Sequence, residues 1–388
     1  MNYLYVLGVA TFASAFSMRA IDPMVNQVAA DLSITLQQVA TLASVFTLAY
    51  ASMQLVFGPI GDAFGKVRLV RINLAILSLG LAASAMAPSH EVLFVARIVS
   101  GAFAGGIIPV VLAMVGDRAS FAERPVALSR VLLALILGQL MGSTASGFIA
   151  EWLGWRQVFW TACAVSGLGY VGCLVFMSEQ RAREPLSFSS ALARYRLVLR
   201  NPLSLKLFAV AAVEGAFTFG IFPLVAALMV AHRLGDAIEA GLVIGAFALG
   251  GACYSLSVGG LVRRLGIKGV IGMGAAAVGL FFIAAALVPS LGMAAAAFAV
   301  SGFGFYMIHN MLQLLATELA PEARGSGVAL FASSFFIGQA VGAVAMAAVA
   351  EHVGAEVVFL IAGASMLALA WPASRLAPRS QASPPTVV

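Results

Sequence analysis

Arg19, Asp22, Arg97, Glu214 and His309 all stand inside long apolar stretches of this sequence. Side chains of these types can hold, pair or pass a proton away from water. At the centre of a hydrocarbon layer such a group costs roughly 2.5–3.5 kcal/mol, less where it meets a partner or water. Each is therefore a candidate for function. Glu214 falls about ten residues into its apolar segment, where a change of surroundings changes how readily a carboxyl takes up a proton. The competing reading is a carboxyl held permanently by hydrogen bonds between helices. Asp22 lies one turn after Arg19 and directly before Pro23, so the two charges can neutralise each other. Left free, Asp22 would favour cations. Tyr306, His309 or Asn310, and Gln313 recur at helical spacing and can line one face, for substrate recognition or for interhelical hydrogen bonds. Gln139 and Gln339 carry the same two readings.

Other chemistries find little support. Cys163, Cys173 and Cys253 sit in apolar segments without a CxxC pair or a Cys/His cluster of metal-ligand spacing. The histidines form no HExxH, and Gly272-Met273-Gly274-Ala275-Ala276-Ala277 matches a dinucleotide fingerprint only within an apolar run, where no strand is expected. Neither an enzyme, a metal nor a cofactor is expected.

Positioning these residues falls to helices in a membrane. Of 388 residues, 62% are hydrophobic and 10% charged, against about a quarter charged in soluble domains. A hydrocarbon core of about 30 Å takes roughly 20 apolar residues per helix, and such runs recur. They predict spans near 3–30, 37–58, 69–87, 92–115, 126–150, 156–177, 204–230, 239–262, 268–288, 291–315, 327–350 and 355–374. The first lacks the basic start and cleavage site of a signal peptide and reads as span 1. Thr35 with Gln38 has the form of a capping box opening span 2.

The net charge of +6 comes from basic residues in short loops and not from one basic domain, so nucleic acid is not an expected partner. With both termini in the cytoplasm, every Lys and Arg except Arg19, Arg97, Arg156 and Arg233 falls on the cytoplasmic side, as the positive-inside rule asks. The stretch 178–203 reads as a cytoplasmic linker, and the proline-rich end from Pro372 as a disordered tail.

A shift of 200 residues superposes Gly138-Gln139 on Gly338-Gln339, Gly142 on Gly342, Ala150-Glu151 on Ala350-Glu351, Gly154 on Gly354 and Val158-Phe159 on Val358-Phe359. The same shift matches Pro23 to Pro223 and Arg124 to Arg324, and a shift of 201 places Gly58 and Gly65 on Gly259 and Gly266. Two related six-span halves of one orientation follow, with a binding cavity expected between them, opened to alternate sides by rocking.

After span 2 the chain reads Gly58-Pro59-Ile60-Gly61-Asp62-Ala63-Phe64-Gly65-Lys66-Val67-Arg68, which resembles the signature cytoplasmic loop of the major facilitator superfamily. Arg97-Ile98-Val99-Ser100-Gly101-Ala102-Phe103-Ala104-Gly105 resembles that superfamily's span 4 motif, and span 5 from Gly138 to Gly147 is similar to the region of its drug/proton antiporters, with Ser143 where they carry proline. The resemblance implies a conformational latch of Gly58, Asp62, Gly65, Lys66 and Arg68 with Asp117, the Lys66 pairing breaking as the cytoplasmic side opens. It also implies a proton-transfer role for Arg97, whose alternative is snorkelling to the headgroups.

The expected fold is an all-α membrane protein of twelve transmembrane helices in two pseudo-symmetric six-helix bundles. Its divisions are 1–178, a linker at 179–203, 204–375 and a tail at 376–388. The expected function is drug/proton antiport exporting small amphipathic molecules, with Glu214, Asp22, Arg97 and His309 as proton-coupling candidates. Arg19, Gln139, Tyr306, His309, Asn310, Gln313 and Gln339 are the substrate-binding candidates. Import of a polar nutrient is the alternative, with a non-transporting sensor behind it. A monomer in a bacterial inner membrane, partnered by substrate, protons and lipid, completes the expectation.

Overall fold

In a computed structural model the chain is described at residues 2–118, 124–179, 188–288 and 290–377. Helices account for nearly all of it, and no strand occurs among the described residues. Among the described residues eleven helices are long and apolar enough to cross a membrane. One of these, Ala237–Ala285, has 49 residues, about 74 Å of helix at 1.5 Å per residue and more than twice a hydrocarbon core. Its backbone leaves the helical region at Gly266, with φ 65° and ψ 168°. Divided there into spans 8 and 9, the set comes to the twelve expected.

The other spans are Tyr3–Leu32, Leu36–Phe64, Lys66–Ala85, His90–Arg118, Arg124–Leu153 and Trp155–Phe176, then Ser204–Ala231, Leu291–Glu318, Arg324–Val353 and Ala355–Ser374. Hydropathy ends span 2 too early. The helix runs on past Pro59 to Phe64 and stops only at Gly65, whose φ of 99° is one that side chains rarely adopt. The predicted capping box is present, with Thr35 N bonded to Gln38 Oε1 and Gln38 N to Thr35 Oγ1.

Two findings concern polar segments. The linker contains a helix, Phe188–Leu199, too mixed in composition to show as an apolar run. Tyr195 on it donates to the Leu55 carbonyl at 3.0 Å. Pro372 does not begin the tail, because span 12 continues through it to Ser374. Residues 378–388 lie outside the described residues.

The internal repeat is written in the backbone. Spans 1 and 7 both break at the same place, with short 3₁₀ turns at Asp22–Met24 and Phe222–Leu224 carrying Pro23 and Pro223. Positive φ values fall at Ser33 and Arg233, and at Gly154 and Gly354, each pair 200 residues apart. Buried apolar side chains form two clusters, one of residues 6–177 joined by Ala237, the other of residues 198–377 joined by Ala40. The packing repeats too. A Cβ on Gly138 would come within 2.7 Å of the Phe12 carbonyl oxygen, and one on Gly338 within 1.9 Å of the Ala212 carbonyl oxygen. The two equivalent glycines thus set how closely span 5 lies on span 1 and span 11 on span 7.

Backbone cannot yield as a flexible side chain does, so Gly338→Val is expected to cost about 1–3 kcal/mol. A fall in apparent Tm in detergent and loss of monodisperse protein would register it. Gly292→Ala, whose Cβ meets nothing within 4 Å, should leave both unchanged.

Candidate functional site

The two helix breaks face each other between the bundles. The guanidinium carbon of Arg19 lies 4.0 Å from the ring centre of Phe219 and 5.2 Å from that of Phe222. Under the 200-residue shift Phe219 is the equivalent of Arg19, and Phe222 the equivalent of Asp22. One half therefore contributes an ion pair where the other contributes the aromatic faces it rests on, a cation–π arrangement in a site away from water. Arg19 Nη1 donates to Asp22 Oδ2 at 3.5 Å, and both side chains are buried. The pairing read from their spacing is present, and Asp22 is not free.

Arg97 serves the same break from the side. It is fully buried, donating through Nη1 to the Ser17 carbonyl and through Nε to the Leu42 carbonyl, both at 3.3 Å. Ser17 lies in the last turn before the break, where helix carbonyls lose their intrahelical donors. The guanidinium also lies 4.1 Å from the Phe46 ring centre. Its Nη2 has no hydrogen-bond partner among the described residues. Arg97 reaches inward, and snorkelling to the headgroups is excluded.

Across the interface, Glu214 of span 7 meets His309 of span 10, with Oε2 and Nδ1 3.3 Å apart. The carboxylate is sealed from solvent, while the imidazole keeps 17% of its side-chain surface. His309 is stacked on Phe305 at 4.9 Å and packed by Phe331 and Phe335 at 5.1 and 4.8 Å. Glu214 Oε1 has no partner among the described residues, nor has Oε1 of the buried Gln339. Gln339 lies close by, since its backbone nitrogen would be 3.1 Å from a Cβ on Gly215. Tyr306 covers Gly251, Asn310 faces the Tyr254 hydroxyl, and Gln313 and Gln139 are half-buried. Tyr50 and Phe336 bring the bundles together edge to face at 5.2 Å.

Sequence reading missed the partners of Arg19. Phe219 and Phe222 are unremarked members of an apolar run, and only the 200-residue register singles them out. It also missed how the end of the bundle away from the termini is closed. There Asn26 Nδ2 donates to Asp236 Oδ1 at 2.7 Å, Gln37 N donates to Glu351 Oε1 at 3.1 Å, and Thr144 Oγ1 donates to the Gly241 carbonyl at 3.2 Å. Each of these joins one half to the other. Burial, with Glu239 beside it, pushes the Asp236 carboxyl above its ordinary range, while the Asn26 amide pulls the other way.

In the signature loop Lys66 Nζ bonds Asp117 Oδ2 at 2.6 Å. The expected pairing of Lys66 with Asp117 is therefore present, and both residues belong to the first bundle. Arg68 is exposed, and its backbone nitrogen donates to Glu179 Oε2 at 2.8 Å. Glu179 closes the amino end of span 3, another group that composition did not mark. The surroundings of Gly58 and the side chain of Asp62 lie outside the described residues. A cavity of about 190 Å³ at the end of the chain's termini is lined by Leu203, Leu207, Leu315, Leu319 and Leu376 with Asn201 and Glu318. None of the buried charges borders it.

Comparison with known proteins bears on the family and the fold. The chain is 27% identical over 384 residues to a probable transporter, SCO4007, of Streptomyces coelicolor, covering 97% of this chain and 87% of that one. It is 27% identical over 192 residues to the MFS transporter cpaT of Aspergillus oryzae and 26% over 175 residues to the efflux pump radE of Floropilus chiversii. These matches cover 49% and 45% of this chain and only 38% and 32% of those relatives. Among solved structures, the nucleoside transporter NupG superposes with a TM-score of 0.80 at 14% identity, over 97% of this chain and 99% of that one. A peptide transporter, POT, crystallised with sulfate, gives 0.79 at 17% identity over 96% and 95%. The Major Facilitator Superfamily profile matches residues 7–333 and 207–387. With twelve spans in two repeated bundles and a charged interface between them, the chain is a member of the Major Facilitator Superfamily.

Proposed function

We propose that this chain is a proton-coupled secondary transporter that exports small amphipathic organic molecules by alternating access. The observation that carries the proposal is the Glu214–His309 pair, a sealed carboxylate 3.3 Å from a partly accessible imidazole. One proton can be shared between the two groups. His309 offers the way in, and the unpartnered Oε1 of Glu214 is the place for a proton or for a donor group of the cargo. Filled or empty, the pair presents a different charge to the space between the bundles, which is what linkage between proton and cargo requires. Relatives bearing the name efflux pump support the outward direction. In this reading Arg19, Gln139, Tyr306, Asn310, Gln313 and Gln339 meet the cargo within aromatic walls, while Arg97 and Asp22 hold the break of span 1 and its charge.

Residues 1–178 and 204–375 are proposed to rock as bodies, tied by the linker 179–203. In this reading the protein sits in a bacterial inner membrane with both termini in the cytoplasm, an orientation that the placement of Lys and Arg supports. The end fastened by Asn26–Asp236 is then the outer one, closed in this arrangement. Gly58, Asp62, Gly65, Lys66, Arg68 and Asp117 would steady the cytoplasmic end as one unit of the first bundle.

One observation favours import instead. Ser143 replaces the proline of the exporters, and span 5 runs helical from Arg124 to Leu153, Ser143 Oγ donating to the Gln139 carbonyl at 3.3 Å. Proteoliposomes carrying an internal pH dye separate the two directions. Addition of a transported compound should move protons opposite to it, and Glu214→Gln should reduce that movement at least tenfold. Movement of both in one direction would replace export with import, and an unaffected Glu214→Gln would remove Glu214 from the coupling.

Closure of the outer end is tested separately. With Cys163, Cys173 and Cys253 replaced by alanine, Asn26→Cys and Asp236→Cys joined by a short bifunctional thiol reagent should stop transport. A reducible reagent should allow recovery on reduction. Undiminished flux in the joined protein would show that these halves need not separate here.

A further inference from the structure

The charges at the centre of the protein do not balance. Among the described residues in the middle of the spans they are Arg19, Asp22, Arg97, Glu214 and His309. Arginine keeps its proton in a protein, so two positive charges are fixed. Asp22 offsets one of them at most. Glu214 and His309 together contribute minus one, zero or plus one as they hold no proton, one or two. The total therefore never falls below zero, and with one proton on the pair and Asp22 ionised it stands at plus one. A cation brought here meets a neutral or positive site in every state of protonation. An anion never meets a negative one, and the scarcity of water strengthens that preference.

The geometry around Arg19 shows where an anion would be held. Its one hydrogen bond among the described residues is the 3.5 Å contact to Asp22, longer than the roughly 2.7–2.9 Å of a tight charge-assisted bond. The remaining donors of the fork suit two parallel bonds to a carboxylate. Behind the guanidinium stand Phe219 and Phe222, and beyond them Phe247, Phe305 and Phe335 surround Phe219 with ring centres 4.9–5.7 Å away. A second buried donor, Nη2 of Arg97, is also without a partner.

We propose that the cargo is an organic anion, a monocarboxylate on an aromatic body, with Arg19 as the residue that takes the carboxylate in competition with Asp22. The inference rests on the transport reading above, though not on its direction or on Glu214 as the proton carrier.

The test is equilibrium binding by calorimetry to the full-length protein in lipid nanodiscs, with no gradient present. Phenylbutyrate, phenylbutyramide and phenylbutylamine share one body and differ in charge. The carboxylate should bind at least tenfold tighter than the amide, and the amine weakest. Arg19→Gln should bring the carboxylate down to the affinity of the amide, while Asp22→Asn should tighten it about threefold or more. Opposite effects from two members of one ion pair set recognition apart from structural support, which would weaken binding in both. Each variant is first checked for a single monodisperse species and an unchanged helical spectrum. Tightest binding of the amine, equal binding of all three, no binding of any, or weakening in both variants overturns the proposal. Absence of proton exchange in the flux experiment would overturn the coupling and leave the charge preference standing, whereas failure of the binding test with proton exchange intact would overturn the charge preference alone.

Discussion

Inside a hydrocarbon layer every backbone group must find a partner within the protein, and this chain interrupts two of its helices there. The breaks at Asp22–Met24 and Phe222–Leu224 release carbonyls and amides that no lipid can satisfy. Much of the centre follows from that constraint. Arg97 is drawn in from span 4 to the Ser17 carbonyl at the first break. Having been drawn in, its charge needs ring faces and a neighbouring carboxylate, which Phe46 and Asp22 supply. At the second break Phe219 and Phe222 fill the space and receive Arg19 from the other side.

Duplication thus supplied two copies of one scaffold, and divergence gave them different tasks. The scaffold positions stay paired, as Gly138 with Gly338 and Gly154 with Gly354, because a close approach or a positive φ admits little else. The chemical positions part company. Arg19 and Asp22 became Phe219 and Phe222. Glu214 has no counterpart, since the equivalent residue in span 1 is Ser14, whose hydroxyl donates to the Ala104 carbonyl. A symmetric pair of bundles would present the same face from both sides. This one places acid and imidazole on one side of the interface and two guanidiniums on the other.

The twelve spans and their repeat were legible because membrane insertion imposes a length and an apolar content that composition records directly. The Arg19–Asp22 pair was legible as well, being three residues apart on one helix. Glu214 and His309 were each visible as costly residues, but their meeting was not, because 95 residues separate them and spacing says nothing about which helices become neighbours. The helix Phe188–Leu199 escaped for a different reason. Polar composition weakens a helical reading locally, while docking against neighbouring spans can restore it. Span 4 is divided at Gly106 into His90–Gly105 and Ile107–Arg118 where sequence showed one uninterrupted run.

Glu351 has a carboxylate on one bundle that accepts from the Gln37 backbone nitrogen in the first turn of span 2 on the other. Its repeat equivalent, Glu151, turns instead to Gln27 within its own bundle. Only one of the two helix starts at this end is therefore closed by the opposite bundle through a glutamate, and Asp236, held by Asn26, closes the other from its own chain neighbourhood. None of these fastenings joins two full charges of opposite sign. Dissolved salt screens charge–charge attraction over about 8–10 Å but acts far less on a carboxylate docked against amide hydrogens. A closure built this way keeps its strength as the ionic composition of the surroundings changes.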